Sequence, residues 1–86
     1  MRSKGENIMQ WQKLSNVNVP MNQLLMIWDP HCNSLLFAKR TLSDRVDFAE
    51  SYLNGRLSGN VDHLRYTEFV KMNSHTYWCI CKKPYD

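Results

Sequence analysis

The densest apolar block in the sequence is residues 24–28, Leu-Leu-Met-Ile-Trp, which a turn and a second apolar run follow. Apolar side chains occupy both alternating sets of positions in this block, as in a strand that is buried on two faces. Asp29 and Pro30 begin the turn, and residues 35–40 run back. The pattern predicts a β-hairpin at the buried centre of a small sheet.

Residues 42–54 change to the period of a helix. Four apolar residues recur at three- and four-residue spacings: Leu42, Val46, Ala49 and Leu53. Thr41 and Asp44 have the spacing of a capping box, and Gly55 supplies a C-terminal stop. The pattern predicts one helix of roughly thirteen residues and 20 Å, with its apolar side on the sheet.

Two further strands are predicted after this helix. Residues 64–72 alternate and contain Tyr, Thr, Phe and Val, which favour a strand, although residues 61–64 leave a short helix open as an alternative. Residues 75–82 form the last predicted strand. The expected fold class is α+β, a small antiparallel sheet of about four strands in the order β-β-α-β-β, with one helix packed on one face. Residues 1–8 are expected to be a flexible N-terminal arm, and residues 9–86 a single α+β domain.

A single helix of this length shields only one face of such a sheet. The apolar residues of the other face are then expected to meet the N-terminal arm, a second subunit or a partner. An unpaired sheet edge also leaves a homodimer open as an alternative.

Charge, apolar runs and cysteine content limit the partners and the compartment that the sequence predicts. The formal net charge is +3 and the basic residues are scattered, whereas nucleic-acid binders usually carry a denser basic stripe, so nucleic acid is not the favoured partner. The longest apolar run has about five residues, far short of the ~20 that span a bilayer, so no membrane partner is predicted. Three cysteines without framework spacing indicate reduced thiols in a cytoplasmic protein.

Cysteine and histidine supply the one combination with metal-ligand chemistry. Its members are His31, Cys32, Cys79 and Cys81, with His63 and His75 near them in sequence. Structural zinc sites use pairs such as C-x(2–4)-C, which this set does not match, so small buried thiols are the favoured interpretation and a metal or thiol site an open alternative. A Cys32–His75 nucleophile pair lacks a recognisable orienting group. The sequence therefore predicts neither an enzyme nor a cofactor.

Aromatic residues supply a second kind of candidate site. Trp28, His31, Tyr66, Tyr77 and Trp78 are the candidate binding surface. A pocket around Trp28, Trp78 and Tyr66 is expected for a protein that binds a nucleotide or another small ligand. Burial in the core of a small sheet protein is the favoured interpretation of most aromatic residues here.

Two stretches resemble a small bacterial and phage family of unknown function, called domain of unknown function 551. Its members begin W-x-x-V, reach a Leu-Pro, enter a Val-Leu-Val type of strand, and end in a Thr-His-Trp strand followed by prolines. The counterparts here are Trp11 with Pro20, residues 24–29, and the ending Ser-His-Thr-Tyr-Trp of residues 74–78 with Pro84. The match is partial, because Ile80 and Lys82 stand where the family's ending has inner prolines.

The resemblance implies a phage or prophage origin and a small sheet protein, and it transfers no catalytic residues. The function expected from it is that of an accessory protein in the host cytoplasm that binds a host macromolecule, with a host protein as the expected partner. One such role is inhibition of a host defence system. A small-ligand or nucleotide-binding module and a metal or thiol site protein are the two alternatives.

Overall fold

The computed structural model of the chain describes residues 10–15 and 18–81. The predicted flexible arm, residues 1–8, lies outside these ranges, as does the final residue of the last predicted strand.

The predicted central hairpin is confirmed. Strand β2, Leu24–Asp29, pairs antiparallel with strand β3, Ser34–Leu42, in a register that joins Leu25 to Ala38 and Trp28 to Leu35. A four-residue turn, residues 30–33, joins the two strands, and it sets the register in which Asp29 lies opposite Ser34.

The predicted helix over residues 42–54 is wrong, and this segment forms strands. Strand β3 runs on to Leu42, β4 is Arg45–Ala49, and β5, Ser51–Leu53, pairs antiparallel with β6, Arg56–Ser58. Both loop residues of the β5–β6 hairpin have positive φ, 53° at Asn54 and 77° at Gly55, as a two-residue type I′ turn requires. Leu42 and Leu53, the ends of the supposed apolar stripe, are 60% and 65% exposed.

The predicted strand over residues 64–72 is also wrong, and so is the short helix considered for residues 61–64. Strand β7 is Asp62–Leu64, and helix α1, Tyr66–Met72, follows it. Phe69 of α1 is buried and packs on Phe48 of β4 with ring centroids 5.6 Å apart. Within the described ranges, no helix has the length and apolarity needed to cross a membrane.

The sheet has six strands rather than about four, in the order β1-β8-β2-β3-β4-β7. Strand β1 is Gln12–Lys13, and β8 is Tyr77–Ile80, which lies inside the predicted last strand. Every strand pair in this sheet is antiparallel. The α+β class, an antiparallel sheet with one helix on one face, is confirmed, and β8 lies between β1 and β2.

One side of the sheet, here called the covered face, carries the core. Leu25 and Ile27 of β2 and Trp78 of β8 lie on it, and they cluster with Phe69 of α1. Leu14 and Val19, from the chain between β1 and β2, complete the same cluster. The covered face is therefore closed by α1 and by part of the N-terminal chain.

The other side, here called the open face, is formed by the alternate residues of the same strands. The members on the three central strands are Leu24, Met26, Trp28, Leu35, Phe37, Lys39, Tyr77 and Cys79. The hairpin of β5 and β6 lies over part of this face, with the Tyr52 ring 4.6 Å from that of Phe37. The row that contains Trp28 lies one step beyond Phe37, toward the turn of the central hairpin.

Candidate functional site

The turn of the central hairpin is held by the carboxylate of Asp29. Its Oδ1 atom accepts hydrogen bonds from the backbone N–H of His31 at 2.9 Å and of Cys32 at 3.1 Å. Asp commonly makes such bonds to its own chain in turns. Asn33 then adopts a φ of 55°, a conformation that Asn tolerates better than most residues. The bonds fix the backbone that carries His31.

The connection between α1 and β8 carries the second histidine. Thr76 is fully buried, and both its Oγ1 and its backbone N–H donate to the carbonyl oxygen of Asn73, at 2.6 and 2.9 Å. This tight turn places His75 just before β8. Because Tyr77 pairs with Trp28, the start of β8 lies beside the end of β2.

These two turns bring together Asp29, His31 and His75, here called the histidine cluster. The Nε2 atom of His75 lies 3.1 Å from Oδ2 of Asp29. The two imidazole rings are stacked, with centroids 4.4 Å apart and 13° between their planes. One ligand atom from each of the three residues lies within 4.8 Å of the other two. Two imidazoles and a carboxylate are a ligand set of transition-metal sites.

The Asp29 carboxylate dominates the electrostatics of this site. Desolvation alone raises the pKa of Asp29, but hydrogen bonds from the Cys32 amide, the His75 imidazole and the His31 amide outweigh it and hold that pKa below its ordinary value. The same negative charge and a hydrogen bond to it raise the pKa of the neighbouring Cys32 thiol. A raised pKa opposes formation of the thiolate that a Cys32–His75 nucleophile pair requires.

A cleft of about 460 Å³ adjoins the histidine cluster on the α1 side of the sheet. Asp29 and Glu50 contribute carboxylates to its wall, and Ile27 and Leu36 contribute apolar surface. Its volume is within the range of small-ligand sites, roughly 300–1,000 Å³. One carboxylate, that of Asp29, belongs to both the cluster and the cleft.

Four residues of the open face form a line across four strands, here called the cross-strand row. Their order is Lys13, Tyr77, Trp28 and Leu35, each directly opposite the next. The Lys13 ammonium lies 5.1 Å from the centre of the Tyr77 ring. Trp28 and Tyr77 are half-buried, and Leu35 is 40% exposed. The row is an aromatic and apolar strip with a cation at one end.

The structure divides the aromatic residues that the sequence groups together. Trp28 and Tyr77 are neighbours in the cross-strand row, whereas Trp78 is buried in the core of the covered face, where its indole N–H has no hydrogen-bond partner among the described residues. Tyr66 lies on α1 beneath the Arg40 guanidinium, and its hydroxyl accepts a bond from Val19. Trp28, Trp78 and Tyr66 therefore do not line one pocket.

The structure also divides the predicted metal-ligand set. Only His31 and His75 of that set meet in the histidine cluster. Cys79 is buried on the open face, and burial raises the pKa of its thiol, while Cys81 contacts the Tyr52 hydroxyl and raises the pKa of that phenol. His63 lies on β7, at the far edge of the sheet.

The sequence predicts Asp29, the third member of the cluster, only as a turn residue. An acidic side chain two residues before a histidine is a weak signal in itself. It gains meaning only from the pairing of β2 with β8, which brings His75 to it.

No protein-family model, no curated protein and no solved structure matches the chain. The resemblance to a phage and bacterial family stays a prediction.

Proposed function

We propose that the protein acts by binding a partner protein through the cross-strand row of its open face. If the chain is phage-encoded, the partner is a host protein, and inhibition of a host defence system is one such role. The observation that carries the proposal is the pairing of Trp28 with Tyr77, both only partly buried, on the side of the sheet away from α1.

The composition of the row suits a protein interface better than a surface that only faces water. Trp and Tyr are enriched at binding hot spots because they bury large rigid areas while keeping a polar atom for a hydrogen bond. Leu35 extends the apolar strip, and 40% of its surface is exposed. Burial of these side chains by a partner contributes favourably to the free energy of binding, because their exposed apolar area is not buried by folding.

Lys13 indicates the chemistry of the partner. Its ammonium lies over the Tyr77 ring, and no carboxylate of the described residues is within 4.0 Å of it. A partner surface that is apolar and carries a carboxylate at one end complements the row. Charge pairs at the rim mainly set the association rate and register, so the aromatic pair supplies most of the affinity.

The proposal is tested by site-specific photo-crosslinking in host lysate. A photoreactive amino acid replaces Leu35 in the row or, as a matched control, Met72 on the outer side of α1, which is 64% exposed. We expect one adduct from position 35 that is absent from position 72. After the partner is identified by mass spectrometry, Trp28→Ala in the chain is expected to weaken its binding about 30-fold, as at a hot spot of ~2 kcal/mol.

Two results would contradict the proposal. One is an identical set of adducts from positions 35 and 72, which indicates non-specific contact. The other is an adduct whose partner binds the Trp28→Ala variant as tightly as the unchanged protein, while circular dichroism shows that the variant is folded.

A further inference from the structure

We propose that Asp29, His31 and His75 bind a divalent late transition-metal ion, of which zinc is the representative. The inference is independent of the proposed partner binding, because it concerns the end of the central hairpin and not the cross-strand row. It rests on the ligand set, the spacing of its atoms and the way two separate turns hold it.

The closest pair of atoms already has the spacing of two ligands on one ion. Nε2 of His75 and Oδ2 of Asp29 are 3.1 Å apart. Two ligands at about 2.1 Å from a tetrahedral zinc ion lie about 3.4 Å from each other. An ion can therefore lie between these two atoms with an adjustment of a few tenths of an ångström, and His75 then binds it as a neutral imidazole whose hydrogen is on Nδ1.

The third ligand is within reach of the same ion. One nitrogen of His31 lies within 4.8 Å of the ligand atoms of Asp29 and His75. The His31 side chain is exposed, so its ring can turn toward the ion without disturbing the core. The two imidazoles are stacked face to face, with 13° between their planes, so this turn of the His31 ring is what directs its nitrogen lone pair at the ion.

The carboxylate that would ligate the ion is oriented by its surroundings. Oδ1 of Asp29 accepts the two backbone N–H groups of the turn, which leaves Oδ2 directed to His75. Hydrogen bonds that orient a metal ligand in this way commonly change metal affinity 10–100-fold. The turn of the hairpin thus acts as support for the site.

The donor set decides the class of ion and the number of open positions. Two imidazoles favour zinc, nickel, cobalt or copper over magnesium and calcium, which prefer oxygen ligands. Three protein ligands leave at least one position for water or a small ligand. Asp29 also borders the cleft of about 460 Å³, so an external ligand has room beside the ion.

The binding of zinc is tested by titration calorimetry, and the coordination by the absorption spectrum of bound Co²⁺. The variants are His31→Gln, His75→Gln and Asp29→Asn. The matched control is His63→Gln, because His63 is the remaining histidine of three and lies exposed on β7. We expect one ion per chain, a loss of affinity of about tenfold or more in each of the three variants, and no change in the control.

Folding is controlled separately, since His75 is half-buried. His31 is exposed, so the variant at that position should keep the circular dichroism spectrum and thermal midpoint of the unchanged protein without metal. Zinc is expected to raise the midpoint of the unchanged protein and of His63→Gln, and not that of His31→Gln.

The result that overturns the site is zinc binding that survives His31→Gln and His75→Gln. The same conclusion follows from an intense thiolate-to-cobalt absorption that Cys79→Ser or Cys81→Ser removes, because the ion is then held by cysteines. Zinc binding weaker than millimolar by the unchanged protein also overturns it.

Discussion

The two faces of the six-stranded sheet are built from the same strands and both carry apolar residues, yet they differ in how far these residues are buried. Ile27 and Trp78, on the covered face, are closed over by α1 and by the chain that contains Leu14 and Val19. Trp28 and Tyr77, their neighbours on the open face, are only partly buried. The difference lies in the covering elements and not in the strands.

This difference separates stability from binding. Apolar area that is already buried contributes to the free energy of folding, whereas apolar area that is still exposed is available to a partner. The covered face should therefore respond to substitution mainly in stability, and the open face mainly in association.

The largest expected effect comes from two tryptophans on adjacent strands. Trp78→Ala removes a ring that is 5% exposed and should lower the free energy of unfolding by about 4–5 kcal/mol. Trp28→Ala removes a half-buried ring and should cost about 1–2 kcal/mol. Urea unfolding followed by circular dichroism measures both values. Equal losses would show that the open face is part of the core.

A smaller effect distinguishes two tyrosine hydroxyls. Tyr66→Phe deprives the backbone N–H of Val19, a buried residue, of the acceptor it meets at 3.2 Å. An unsatisfied buried donor costs about 1–2 kcal/mol, while the contact of Arg40 with the ring is kept. Tyr77→Phe, on the open face, is the matched control and should change stability by less than about 0.5 kcal/mol. Thermal unfolding that ranks the two in the opposite order would contradict the assignment.

The smallest expected effect is a loss of stability at acid pH, and it comes from Asp29 at the end of β2. The pKa of Asp29 is lower in the folded protein than its ordinary value of 3.8. The unfolded chain therefore takes up the proton first as the pH falls, so the stabilisation by this carboxylate is complete above about pH 5 and is lost as the pH falls through the folded pKa. Asp29→Asn, which keeps an acceptor for the turn, should remove that part of the acid sensitivity.

The measurement is the urea midpoint of both proteins between about pH 6 and pH 2, with a chelator present. Glu68→Gln, on exposed α1 surface, corrects for the loss of one carboxylate. A difference between the unchanged protein and Asp29→Asn that stays constant with pH would be inconsistent with the lowered pKa.

Local sequence predicts the central hairpin because all its signals lie within one short stretch. The same kind of evidence fails for residues 42–54, where Val46 and Ala49 fit a helical stripe as well as a strand. Asn54-Gly55 is both a helix stop and a type I′ turn, and the pairing of β4 with β3 decides for the turn. That pairing is as local as the central hairpin, and it is missed because the turn at residues 43–44 has residues that also suit the start of a helix.

The helix α1 shows the converse error. Tyr, Thr, Phe and Val favour strands by intrinsic preference, but these preferences are weak beside packing. Phe69 and Val70 both reach the core from a helix, and a strand would place consecutive residues on opposite faces. The candidate site is likewise beyond local prediction, because His75 meets Asp29 only through the register of β2 with β8.

The position of β8 between β1 and β2 has a consequence for how the chain is made. On a translating ribosome, β2 and β3 can pair as soon as both have emerged, but the other edge of β2 must wait for the last strand of the sheet. Closing so long a loop slows folding, and an unpaired edge can meanwhile join another chain. The histidine cluster, which needs β8 in place, therefore forms only when the sheet itself is completed.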